Sequence, residues 1–215
     1  MRWIAPSLLV LALLAGCGTQ PVYLPAAPIE QAAGLDAEDI STLDQLERAN
    51  KRKGSKQAIG ADIGTENYKQ VNANLYRGGV PNDDQLAALK KLGIKTDITL
   101  MSMSSPKERE VIAHEKEAGA ALGLKVINIS LPFNAVPPKA MLEQFLSTTQ
   151  EKLAQPVYVH CIHGRDRTGT MVACYRMTFD HLSNQQALDE METFGFNPKK
   201  YATWANFVLG FKPAS

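Results

Sequence analysis

An α/β domain built on a central, mostly parallel sheet of four to five strands flanked by helices is what this sequence predicts. Three observations carry the prediction. Short runs suited to strands recur at residues 75–77, 94–100, 124–129 and 156–160. Longer stretches with helical spacing of apolar residues separate them. Glycine or proline marks most of the junctions. Strands that alternate with helices are joined by crossovers, and crossovers make parallel sheets.

The compact domain is expected over 67–215. Leu75-Tyr76-Arg77 is a strand ending at Gly78-Gly79. Pro81-Asn82-Asp83 supplies a helix start, and Leu86, Leu89 and Leu92 carry its apolar side up to Gly93. Residues 94–100 form the next strand. Ser105-Pro106 opens a helix that runs to about Leu122, where Gly123 stops it. Residues 124–129 are a strand, and 131–138, with three prolines, a loop. Residues 139–153 read as a helix with Met141, Leu142, Phe145 and Leu146 turned to the core. Residues 156–160 are an apolar strand. A helix follows from about Thr168, and two more, near 184–194 and 198–210, complete the domain.

Ahead of this domain, Arg2 and an apolar run over 3–15 have the make-up of a secretory signal, too short to span a bilayer. The run ends in Leu14-Ala15-Gly16-Cys17, which resembles the bacterial lipoprotein signal. That resemblance implies a signal peptide over 1–16, acylation of Cys17 and a lipid anchor in the bacterial cell envelope. Gly18, with no aspartate beside it, implies the outer membrane, facing the periplasm. Acyl chains hold a protein to a membrane with about 0.8 kcal/mol per buried methylene. Residues 17–66 then read as a tether. Pro21, Pro25 and Pro28 favour extended chain. A polar helix over 35–50 brings Leu35, Leu43 and Leu46 near one face, and Lys51, Arg52, Lys53 and Lys56 form a solvated cluster.

The 215 residues carry a net charge of +1, so no global field draws the chain to nucleic acid, and any attraction for anions must be local. Three cysteines, Cys17, Cys161 and Cys174, are too few for a disulfide framework. Cys174 belongs in the core, about 10 Å or more along its helix from Cys161 and too far to bridge it.

Local attraction is concentrated in His160-Cys161-Ile162-His163-Gly164-Arg165-Asp166-Arg167-Thr168-Gly169, between a strand and a helix. A phosphate dianion needs converging donors. The amides of a tight loop over Ile162, His163, Gly164, Arg165, Asp166 and Arg167 supply them, and the helix N-terminus adds its dipole. Gly164 permits the curvature. Arg167 grips two phosphate oxygens as a planar fork. The same positive field should hold Cys161 as a thiolate, and Thr168 is placed to donate a hydrogen bond to it. A zinc site made of His160, Cys161 and His163 lacks a fourth ligand.

This loop resembles that of the cysteine-dependent protein tyrosine phosphatase superfamily, HC-x5-R-[ST]. The similarity extends to its bacterial dual-specificity-like envelope members through Leu75-Tyr76-Arg77, Ile94-Lys95-Thr96, Tyr175-Arg176, Ala187-Leu188-Asp189-Glu190-Met191 and Gly195-Phe196. The resemblance implies a dual-specificity-phosphatase-like fold and hydrolysis of phosphate monoesters through a cysteinyl-phosphate. In that reaction Cys161 is the nucleophile, Arg167 stabilises the transition state and His160 supports the loop. No cofactor and no metal are needed. The implied partner is a phosphorylated protein, above all one carrying phosphotyrosine, or a small phosphate ester, and the expected form is a monomer.

One part of the pattern is missing. Such enzymes carry an aspartate on a loop about thirty residues before the cysteine, and the stretch Ser130-Leu131-Pro132-Phe133-Asn134-Ala135-Val136-Pro137-Pro138 holds no acid. The expected position falls near Val136. Asp166 is the candidate for the proton donor, by similarity to phosphoinositide phosphatases with "DRT" in their loops. Its other reading is an ion pair with Arg165. By analogy alone, Asn134 is an alternative, positioning the attacking water instead. Arg165 and His163 suggest a cationic mouth, which also suits inositol phosphates. Two further readings stand beside the enzyme: a sulfurtransferase, whose loop is one residue shorter, and a catalytically weak phosphate-binding module.

Overall fold

The computed structural model describes residues 35–51, 62–133 and 135–213. The signal segment, Cys17, Arg52, Lys53, Lys56 and Asn134 lie outside the described residues. Five strands, β1 (Lys69–Asn72), β2 (Leu75–Gly78), β3 (Thr96–Thr99), β4 (Lys125–Asn128) and β5 (Val157–His160), form one sheet in the order β1-β2-β5-β3-β4. The pairs β2–β5, β5–β3 and β3–β4 are parallel and β1–β2 is antiparallel. Seven helices accompany it among the described residues: α1 (Ala37–Lys51), α2 (Asp83–Lys91), α3 (Pro106–Ala121), α4 (Lys139–Gln150), α5 (Asp166–Phe179), α6 (Asn184–Thr193) and α7 (Ala202–Gly210). The expected α/β architecture is therefore present.

Both faces of the sheet are covered, and every residue of β3 and β5 is buried, as parallel strands with helices on each side require. Side chains alternate. Val157 and Val159 join Leu75, Ile98, Phe145 and Met171 in the main core. Tyr158 turns the other way, into a second cluster with Ile63, Leu86, Leu89, Ile94 and Leu124. His160 shares that second face with Asp97, one strand away. β5 lies at the centre of the sheet, so whatever follows His160 emerges between the flanking layers, where α/β sheets bind ligands.

Three helix starts follow from their caps. Asn82 with Gln85, and Ser183 with Gln186, form reciprocal capping boxes for α2 and α6. Ser105 caps α3 ahead of Pro106. Elsewhere the ends differ from expectation. α4 stops at Gln150, and Leu153 is exposed. α7 starts only at Ala202. α5 begins at Asp166 rather than near Thr168. Arg165 already has helical backbone angles and makes no capping bond, so the first-turn amides stay unclaimed.

The extent of the compact unit needs correction. The helix over 35–50 is present as α1, but it is not part of a loose tether. Leu43 and Leu46 are buried with Val80, Met101, Ile112 and Ile162. Lys107 pairs with Asp44, and the Asp83 amide donates to Asn50 at 3.1 Å. Two leucines one turn apart are enough, because the partner groove on α3 and the loop is already apolar. The packed body therefore begins before Asn67. β1 is also unannounced in the sequence: Lys69, Gln70, Val71 and Asn72 show no apolar alternation, since this edge strand is half-exposed.

Candidate active site

The segment from Cys161 to Arg167 leaves the end of β5 and curls into the first turn of α5. Its curvature depends on Gly164, at φ +69°, whose missing Cβ would lie 2.2 Å from the Gly78 carbonyl carbon. No other residue fits there.

Each carbonyl from Cys161 to Asp166 has a hydrogen-bond partner outside the loop. The Cys161 oxygen lies 3.1 Å from His160 Nδ1. The Ile162 oxygen accepts from the Val80 amide at 2.9 Å, and the His163 oxygen from Asn67 Nδ2 at 2.9 Å. The Gly164 oxygen accepts from the buried guanidinium of Arg77. Those of Arg165 and Asp166 accept from the Gly169 amide and the Thr170 hydroxyl, each at 3.0 Å. A trans peptide is planar, so a carbonyl fixed outward turns the next N–H inward. Six consecutive amides, from Ile162 to Arg167, are left facing the loop's interior, and among the described residues none donates to a protein acceptor. This is an anion nest at a helix N-terminus.

Cys161 is buried and free at the loop entrance. Arg167 is buried beside it. One arm, Nη2, is held by Glu108 Oε1 at 2.7 Å, while Nη1 has no partner. Glu108 is itself fixed by the Ser102 amide at 2.6 Å. One arm of the fork is thus anchored and the other is unpaired among the described residues. Arg77, stacked over Phe194 at 3.8 Å, is a second cation behind the loop. Burial pulls it down to about 10, so it remains charged at neutral pH.

The remaining expected residues lie in the same place. Thr168 is fully buried, but its hydroxyl makes no hydrogen bond, so the expected bond to the cysteine sulfur is not formed. The Ile162 side chain packs under α1, leaving only its amide to the nest. Asp166 has Oδ2 3.4 Å from Arg165 Nε, while Oδ1 is buried and unpaired. Burial raises its pKa, with Arg165 opposing. Cys174 is in the core as expected, its thiol pushed up to about 12 by burial. His160 and His163 diverge from Cys161 toward different carboxylates, so no zinc site forms from the three.

The mouth is not the open cationic surface expected. His163 Nδ1 is 2.8 Å from Glu66, and its Nε2 is 3.2 Å from Asp39 at ion-pair distance, though not in hydrogen-bond geometry. Burial works against charge on this imidazole, but the two carboxylates raise it to about 10. Arg165 pairs with Glu38 as well as Asp166, and Lys200 with Asp36. Asp36, Glu38 and Asp39 all come from the start of α1. Beside this rim, Phe133, Tyr201 and Trp204 wall a cavity of about 490 Å³, with Lys200 and Asp36 at its edge. The Arg167 guanidinium sits 5.7 Å from the Phe133 ring centre. Sequence reasoning missed Glu108, Glu66 and Asp39. Each is an acid on a helix or loop whose cation lies far along the chain.

Residues 39–207 match the family described as DSP-PTPase phosphatase fused to NAD+ kinase. The chain belongs to this family. It is thereby a member of the dual-specificity-like branch of the cysteine-based phosphatases. Among curated proteins it is 29% identical over 143 residues to the dual specificity protein phosphatase TpbA of Pseudomonas aeruginosa, covering 65% of this chain and 58% of TpbA. It is 26% identical over 151 residues to the inositol diphosphatase SIW14 of Saccharomyces cerevisiae, covering 68% of this chain and 51% of SIW14. The chain thus spans a little over half the length of these relatives. Among solved structures, TpbA in complex with pTyr superposes with a TM-score of 0.57 at 24% identity, over 74% of this chain and 92% of that one. The SIW14 catalytic core does so with 0.57 at 24%, over 69% and 86%. At such identities the superpositions speak for the dual-specificity-type fold.

Proposed function

We propose that the chain hydrolyses phosphate monoesters through a cysteinyl-phosphate intermediate. The observation that carries this is the run of six amides, from Ile162 to Arg167, that follow Cys161 and donate to no protein acceptor among the described residues, with one arm of Arg167 left unpaired. The Cys161 thiolate attacks phosphorus, a P–S bond forms and the bond to the ester oxygen breaks. The amides and Arg167 hold the equatorial oxygens. Asp166, with its unpaired buried oxygen, gives the proton to the leaving oxygen. It then takes one from the water that cleaves the P–S bond and releases inorganic phosphate. In Asp166→Asn, turnover of an alkyl phosphate should fall by about a hundredfold or more, and that of an aryl phosphate, with its better leaving group, much less. Equal small losses on both esters would remove Asp166 from this role.

The substrate we propose is phosphotyrosine, with broad specificity. The rim cations His163, Arg165 and Lys200 are each paired with an acid, which disfavours a multiply phosphorylated ring. The aromatic cavity beside Arg167 suits a phenyl group. The TpbA complex with pTyr supports the same reading, while the inositol diphosphatase SIW14 supplies the rival. Turnover on a phosphotyrosine peptide, a phosphoserine peptide and inositol hexakisphosphate, with Cys161→Ser as control, decides between them. Preference for the inositol phosphate would overturn the assignment. We propose also that Cys17 carries a lipid that holds the chain in a bacterial envelope, on the strength of the apolar run and Leu14-Ala15-Gly16-Cys17. Labelling with radioactive palmitate that survives Cys17→Ser would refute it.

A further inference from the structure

Behind the phosphate loop lies a sealed cluster that the reaction above does not use. His160 ends β5, Asp97 projects from β3, and Glu115 comes down from α3 onto the same face of the sheet; all three are buried. His160 Nε2 is 2.7 Å from Glu115 Oε1 and 3.4 Å from Asp97 Oδ1, and its Nδ1 is 3.1 Å from the Cys161 carbonyl oxygen. One atom from each of the three lies within 4.8 Å of the others.

Both imidazole nitrogens therefore face oxygens. A carbonyl only accepts, so Nδ1 must carry a hydrogen. Nε2 then either donates to a Glu115 carboxylate as part of an imidazolium, or accepts from a Glu115 carboxylic acid. Both Asp97 oxygens and Glu115 Oε2 have no other donor. Two dry, ionised carboxylates side by side would leave those oxygens unpaired and both charges unsolvated, which is strongly unfavourable. Protons remove the difficulty. In the protonation state that satisfies most of these groups, Asp97 donates to Glu115, Glu115 donates from Oε1 to His160 Nε2, and His160 donates from Nδ1 to the Cys161 carbonyl.

We propose that Asp97, Glu115 and His160 form this uncharged, proton-bearing chain, and that Asp97 and Glu115 are positioning residues for the Cys161 chemistry. Two effects follow. The chain fixes the first loop carbonyl outward and so turns the Ile162 amide inward. It also keeps negative charge away from the back of the cysteine, where an anion would oppose formation of the thiolate. The titratable and charged groups that face the cluster fit this arrangement. Tyr158 of β5 stacks on His160 at 5.7 Å between ring centres and is held neutral by burial. Arg167 of α5 works against an imidazolium. Burial raises Glu115 to about 7, opposed by the hydrogen bond with Asp97 and more weakly by Lys116 next to it on α3. Burial also raises Asp97 well above its usual range and lowers His160, with Asp97 and the Cys161 carbonyl opposing the latter.

The test separates an acid that donates from a carboxylate that pairs. In Glu115→Gln the side-chain amide still donates to Nε2 and its oxygen still accepts from Asp97. We expect kcat within about threefold of the parent in Glu115→Gln, and a loss of about tenfold or more in Glu115→Ala, where buried groups are left unpaired. Nitrogen-15 NMR of the full chain should show His160 neutral, with the proton on Nδ1, in both the parent and Glu115→Gln. An imidazolium signature, or a Glu115→Gln variant as impaired as Glu115→Ala while folded by circular dichroism, overturns the proposal. Should Glu115→Ala not fold, the NMR of the parent and the activity of Glu115→Gln still decide. The inference rests on the phosphatase reading only for its activity arm. A parent without turnover would refute that reading, while the spectrum would still judge the chain.

Discussion

At the scale of single residues, Arg167 is the side chain whose geometry is least replaceable. One arm is held by Glu108 at 2.7 Å and the other has no partner. A lysine supplies charge but not a fork. Arg167→Lys is expected to lose about 10²–10³ in kcat, the usual range for removing a donor at developing oxyanion charge; steady-state rates on an aryl phosphate check it, and a loss below about threefold would contradict the role. His163 gives a pH prediction. Its folded-state pKa is raised to about 10 by Asp39 and Glu66 against burial. Because the folded value lies above the unfolded one, the stability it contributes is whole below about pH 6.5 and fades as pH rises toward about 10. Urea midpoints measured across that range should decline less in His163→Ala than in the parent. Identical slopes would show that the imidazole does not clasp α1 to the loop.

At the scale of elements, the acidic start of α1 does two things: it buries a leucine face and neutralises the rim. Leu43→Ala should destabilise the fold by about 2–5 kcal/mol, the range for a buried leucine, as read from urea unfolding. If α1 were a loose tether the change would be close to zero. Glu38→Gln releases Arg165, and KM for inositol hexakisphosphate should fall by up to about fivefold while that for a phosphotyrosine peptide stays put, the modest effect of one exposed ion pair. What could be read in the sequence divides along the same line. Strands 94–100, 124–129 and 156–160 and the caps Asn82 and Ser105 were legible because propensity, punctuation and period agree locally. The loop was legible because six of its roles sit on consecutive residues. β1 was not, since an exposed edge strand carries no apolar pattern. Nor was the packing of α1, because two leucines signal nothing until the groove they fill is known. Glu108 and Glu115 escaped for the same reason. Their partners are 59 and 45 residues away, and only the crossovers of the sheet bring them together.

At the scale of the whole molecule, the sheet order puts β5 in the middle, and the site grows from its carboxyl end. β2 and β3 flank it. The segment after β2 fixes one loop carbonyl through Val80, and the helix after β3 supplies both Glu108 and Glu115. Arg77 on β2 fixes another carbonyl from behind. The scaffold thus settles the loop before any substrate arrives, so that little reorganisation is left for the reaction. The most direct measurement is rapid-quench mass spectrometry of the full chain during turnover of a phosphotyrosine peptide. One phosphoryl group should appear on the peptide containing Cys161, and both the adduct and turnover should vanish in Cys161→Ser. Hydrolysis that continues in Cys161→Ser, with no phosphoryl group on that sulfur in the parent, would contradict the account.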